Sequence, residues 1–112
     1  MNDTKKYEVL WADSAIFDLE QIIEYIKLDS VSTAKKIFSE LREKGNTLYY
    51  FPAEGKIVPE LQSIGIVKYR EIIHKRWKII YKIRESRVYI LVVVDSSQDL
   101  ETILFQRLIN KN

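Results

Sequence analysis

The stretch Lys68–Asp95, "KYREIIHKRWKIIYKIRESRVYILVVVD", decides the fold. Read in twos it gives three β-strands, with basic residues threaded between apolar ones. "GIVKYREII" and "RWKIIYKI" are separated only by "HK", and "IRESRVYI" carries a second tight turn. Turns that short join antiparallel neighbours. Within the second strand Trp77, Ile79, Tyr81 and Ile83 share one face, and Arg76, Lys78, Ile80 and Lys82 share the other. The run "VYILVVV" is apolar at both parities, so both of its faces should be covered, as in the middle of a sheet. Whether Lys68, Arg70, Lys78 and Lys82 solvate an ordinary sheet or meet something negatively charged is not decided by spacing.

Working toward the N-terminus, Pro52, Gly55 and Pro59 mark "FPAEGKIVPELQSIG" as the main irregular connection. Before it lie two amphipathic patterns. Ile16, Leu19, Ile23 and Ile26 recur at spacings of three and four; Ala34, Ile37, Phe38, Leu41, Gly45 and Leu48 continue the period after a break at "LDSVS". Two helices joined by so short a turn are expected to pack as an antiparallel hairpin. Asp13 and Ser14 offer capping oxygens for the first, and "LDSVS" does so for the second. Gly45, about 1 kcal/mol worse than Ala inside a helix, marks a place where the second helix ends or bends. "KYEVLWA" (Lys6 to Ala12) reads as a first strand. At the other end "SQDLETILFQRLI" forms a short helix, with Leu100, Ile103, Leu104, Arg107 and Leu108 roughly on one side. The expected architecture is α+β: an N-terminal strand and a helical hairpin packed on an antiparallel sheet, with a short C-terminal helix. Residues 1–112 form one domain, without repeat or linker.

Composition narrows the chemistry. With 46% apolar and 30% charged residues, the chain is a folded soluble protein. Its longest apolar run is far below the roughly 18 residues of a membrane span. "MNDTKKYEVLW" has no signal-peptide core, which places the protein in the cytoplasm. No cysteine is present, so disulfides, thiolate catalysis and cysteine-based zinc sites are excluded. A single histidine rules out a histidine-rich metal site, and no cofactor is expected. Three isolated glycines cannot make a phosphate loop. Glu20 and Glu24, one helical turn apart, read as a solvated face, and His74 as an exposed turn residue. Ser96 and Ser97 have no histidine near them in sequence.

The basic residues remain. Arg70 and Lys78 flank a turn containing His74, Lys75 and Arg76, and are expected to concentrate charge on one end and one face of the sheet. Arg suits phosphate as a planar fork and Lys as a point charge. Tyr69 and Tyr81 could stack on bases, although the parity of Tyr81 favours burial. A solvated open face and a groove for an acidic partner segment are the competing readings.

Taken in order, "SAIFDLEQIIEYI", "FPAEGKIVPEL", "YREIIHKRWKIIYKI", "VYILVVVDSSQDL" and "QRL" resemble the RelE/ParE superfamily of bacterial toxins, most closely its ParE-like, plasmid stabilisation branch. The resemblance implies the toxin of a type II toxin–antitoxin pair, held inactive by a cognate antitoxin protein. ParE-like members inhibit DNA gyrase by binding; RelE-like members enter the ribosome and cut messenger RNA. It also implies, for a nuclease, that Arg70 and Lys78 stand at strand positions that stabilise phosphate charge. The chain departs from the superfamily at Asp95 and Gln98, where many members carry His and Arg. Neither replacement supplies positive charge to a phosphorane-like transition state, a loss commonly worth about 10²–10³ in rate. The expected function is a growth-arresting binding toxin, a gyrase inhibitor, with Arg70, Lys78, Lys82 and Arg107 meeting target or antitoxin. The alternatives are a ribosome-dependent endoribonuclease using Arg70 and Lys78, and an inactive homologue that only binds antitoxin. Oligomeric state is left open.

Overall fold

Strands from both ends of the chain meet in one sheet. The computed structural model describes residues 6–109. In chain order these form β1 (Glu8–Trp11), α1 (Asp13–Lys27), α2 (Val31–Asn46), a single 3₁₀ turn, β2 (Lys56–Ile57), α3 (Pro59–Gln62), β3 (Tyr69–His74), β4 (Trp77–Arg84), β5 (Arg87–Asp95) and α4 (Leu100–Leu104), the last running into one wide turn, Phe105–Ile109. The sheet order is β1-β5-β4-β3-β2. β3, β4 and β5 pair antiparallel as the sequence implies; β2, from the stretch read as an irregular connection, adds antiparallel to β3, and β1 adds to β5 in parallel, so the sheet is mixed. The parallel pair follows from the hairpin α1–α2, which carries the chain across one sheet face before it returns.

β5 lies between β1 and β4, as its two-sided apolar sequence requires. On one face Ile72, Trp77, Ile79, Tyr81, Val88, Ile90 and Val93 pack against Ala15, Leu19, Ile37 and Leu41 of the helical hairpin. On the other, Tyr69, Ile80, Val92 and Val94 pack against Val58, Leu61, Leu100 and Leu104. Ile90 and Val93 share a face although they are three positions apart, which a regular strand would place on opposite faces. The register slips between Ile80 and Tyr81 of β4, leaving Leu91 as the extra residue of a β-bulge in β5.

The second helix is capped from "LDSVS" as expected, and the first is not capped by Asp13 or Ser14. Ser30 caps α2, accepting the Thr33 N–H at 3.2 Å. α1 begins without a side-chain cap at Ala12, and the Ser14 hydroxyl donates instead to the Leu91 carbonyl at 3.3 Å. Gly45 lies in the last turn of α2, which ends one residue later at Asn46, close to where the sequence placed its end or bend. Its reason is space: a Cβ there would stand 2.6 Å from the Trp11 ring and 3.0 Å from Ile90. Gly45→Ala is therefore expected to cost stability, because an overpacking penalty of about 1–3 kcal/mol exceeds the ~1 kcal/mol helix-propensity gain. A lower urea midpoint at unchanged m-value checks this.

Candidate binding surface

The irregular connection is held by two side chains from the sheet. Tyr81 is fully buried; its hydroxyl accepts the Gly55 N–H at 2.9 Å and donates to the Pro52 carbonyl at 2.8 Å. Burial pushes the Tyr81 phenol above its ordinary range, so it stays a neutral hydroxyl able to do both. Arg70 Nη1 donates to the Gly55 carbonyl at 2.6 Å. Arg70 thus fastens the loop that leads into β2.

Arg70 and Lys78 do not share a face, contrary to the sequence-based expectation. Arg70 lies opposite Tyr81 in the ladder, and Lys78 opposite Ile73. A two-residue hairpin turn pairs residues of opposite parity, so two even-numbered residues on its two strands point to opposite sides of the sheet. Arg70 lies on the hairpin side. Lys78 lies on the other side with Glu71, which is 2% exposed.

Lys78 is neutralised there. Its ammonium stands 3.3 Å from Glu71 Oε1 and 4.0 Å from Glu60 Oε2 of α3, and Lys56 Nζ is 3.8 Å from Glu71 Oε2. Neither Glu71 oxygen, nor Glu60 Oε1, has a hydrogen-bond partner of good geometry among the described residues. Coulomb attraction to the two lysines is what holds Glu71 in the fold. Both glutamates escaped sequence reasoning. The available signal was parity: in "YREII" the carboxylate alternates with Tyr69 and Ile73, on the side toward "VPEL".

Arg107 is also committed. Its guanidinium makes a forked pair with Asp18 of α1, at 3.2 and 3.1 Å, and donates to the Leu91 carbonyl at 3.1 Å. Asp18 Oδ2 accepts the Val93 N–H at 3.0 Å. β1 pairs β5 only as far as Ile90, so Asp18 and Arg107 serve the backbone groups that β1 does not reach. Lys82 sits toward the far end of the Lys78 face, its ammonium 6.0 Å from the Tyr89 ring centroid.

At the β3–β4 turn His74 is half-buried, not exposed as expected. Its Nε2 is 2.7 Å from Glu40 Oε1 of α2, which Lys75 also reaches at 3.0 Å. The hydrogen bond to His74, then that to Lys75, holds the Glu40 carboxyl below the usual carboxylate range. A depressed folded pKa gives stability that is complete above the unfolded value near 4.5 and fades as pH falls through the folded one. Glu40→Gln is expected to flatten this acid limb of the stability–pH curve, as read by denaturant midpoints between pH 3 and 6. Nearby, Arg76 pairs with Asp95 at 2.7 Å. A groove of 570 Å³ opens beside that pair, walled by Ile22, Ile26, Ile37 and Trp77 and edged by Gln21 and Gln98. No cluster of three metal-ligating side chains occurs among the described residues. None of the described helices is long and apolar enough to cross a membrane.

A hairpin-backed sheet of this order, with its short C-terminal helix against β5, is the fold of the RelE/ParE toxins. The structure is similar to a chromosomal ParDE toxin–antitoxin system from P. aeruginosa (TM-score 0.67, 17% identity, 80% of this chain and 96% of the other covered). It is also similar to the RelBE2 toxin–antitoxin complex from Mycobacterium tuberculosis (TM-score 0.61, 19% identity, 88% and 100% covered). No match was found among curated proteins. The family model for the ParE toxin of the parDE type II toxin–antitoxin system matches residues 9–100, and the chain belongs to that family.

Proposed function

We propose that this toxin arrests growth by binding a replication target, DNA gyrase, and that a cognate antitoxin neutralises it. The observation that carries the reading is the state of Lys78. A phosphate-stabilising cation must be free to meet its anion, and Lys78 is held between Glu71 and Glu60. Arg70 and Arg107 are spent on the Gly55 and Leu91 carbonyls, and Asp95 and Gln98 supply no positive charge in their place. Family membership and likeness to solved toxin–antitoxin systems support the antitoxin partner. The apolar groove between hairpin and sheet, lined in part by Trp77, suits an amphipathic segment of that partner.

Because Arg70 and Lys78 both anchor the fold, replacing them reports on stability as well as binding. Lys82→Ala is the cleaner probe of a target contact. The test is supercoiling by purified gyrase with the toxin added. Inhibition that antitoxin relieves is the expected result. Undisturbed supercoiling, together with transcripts cut only on translating ribosomes, would assign the chain to the endoribonucleases instead.

A further inference from the structure

Where α3 and α4 stop covering the second sheet face, the last two rows of the sheet collect positive charge. Lys82 faces Tyr89 across the β4–β5 ladder, and Arg84 faces Arg87 directly beside the Glu85–Ser86 turn. Lys68 joins them by folding its ammonium over the Tyr69 ring, at 5.4 Å. Tyr69 is itself opposite Lys82. Four cations therefore gather within two residue rows, against Glu8, which pairs with Arg87 at 3.2 Å, and Glu85 at the turn. Like charges directly opposite in a ladder destabilise it. Glu8, opposite Arg87 in the β1–β5 ladder, answers one of these charges, whereas Arg84 and Lys82 meet no carboxylate among the described residues and leave positive charge that an external polyanion would meet.

We infer that this end of the sheet is a docking surface for the phosphate backbone of duplex DNA, separate from the Lys78 cluster. The spacing suits a regular array of charges. Rows about 7 Å apart along a strand and strands about 4.8 Å apart set the cations out as a flat grid. The same geometry disfavours unpaired bases, which need an open aromatic face. The Tyr89 ring lies beneath the Lys82 ammonium, its centroid 6.0 Å away. Contact is thus with phosphates, and carries no sequence preference.

The test is fluorescence anisotropy of the full chain with a labelled duplex across 50–200 mM salt. About three phosphate contacts give a log K against log salt slope near −3, a loss of about 40-fold over that range. Arg84→Gln with Arg87→Gln is expected to reduce the slope to about −1 and to weaken binding at least ~10-fold at the low-salt end. Lys35→Gln with Lys36→Gln removes the same charge from exposed positions of α2 and is expected to change affinity by less than about twofold, since those residues make no phosphate contact. Equal losses in the two variants would reduce the effect to net charge and overturn the proposal. So would tighter binding of single-stranded DNA than of duplex, or displacement of the duplex by polyglutamate at matched charge, which would assign the patch to an acidic protein.

Discussion

Lys78→Met is expected to destabilise the fold by about 3–5 kcal/mol, and adding Glu71→Gln is expected to return most of that loss. The magnitude is that of removing one partner from a buried ion pair, which leaves an uncompensated charge out of water. Glu71 meets those conditions: it is 2% exposed, and among the described residues the cations within reach of its oxygens are two lysine ammoniums. Lys56 remains in Lys78→Met, but it stands 3.8 Å away on an exposed side chain, where solvent screens it. Replacing both partners removes the desolvated charge altogether, which is commonly neutral or stabilising. Urea unfolding of the single and double variants measures the recovery. A Lys78→Met loss below about 1 kcal/mol would mean that the cluster is no buried pair, and Lys78 would again be available to a phosphate. The same experiment therefore bears on function as well as stability.

Gly55→Ala is expected to cost about 3 kcal/mol or more, the upper end of overpacking penalties. A Cβ there would stand 2.4 Å from the Glu71 carbonyl and 2.7 Å from the Tyr81 hydroxyl. Neither neighbour can yield easily. The carbonyl belongs to the residue that pairs with Lys56 in the ladder, and the hydroxyl is fixed between Gly55 and Pro52. Relief would separate β2 from β3 and release Arg70 from the Gly55 carbonyl. Tyr81→Phe tests the same fastening from the other side. It leaves the buried Gly55 N–H without its partner, at about 1–3 kcal/mol. Thermal unfolding checks both, with Gly55→Ala expected to show the larger drop. The reverse order would place the strain elsewhere than the Gly55–Glu71 approach.

The β4 alternation and the two tight turns were sufficient to place three antiparallel strands, because period two and turn length are local properties. The hairpin followed from helical spacing for the same reason. What escaped was set by registry between distant segments. The bulge at Leu91 reverses parity midway through "VYILVVV", and an apolar run gives no sign of where that happens. Arg70 and Lys78 looked like one patch because parity was not carried through the turn. Nothing in the sequence marked Asp18 or Glu60; their partners Arg107 and Lys78 lie 89 and 18 positions further along the chain. Cations in sequence were thus legible as cations, and their availability was not. Gly45 shows the reverse case: its helical position is plain in sequence, and its need for small size comes from Trp11, across the fold.

Pulse labelling of a bacterial host in the first minutes after induction, following DNA and protein synthesis separately, tests the central claim most directly. A binding toxin whose Lys78 is sequestered by Glu71 and Glu60 is expected to stop DNA synthesis first while translation continues. Translation collapsing first would contradict it, and would make the ribosome the target and Lys78 a cation that leaves its carboxylates to act.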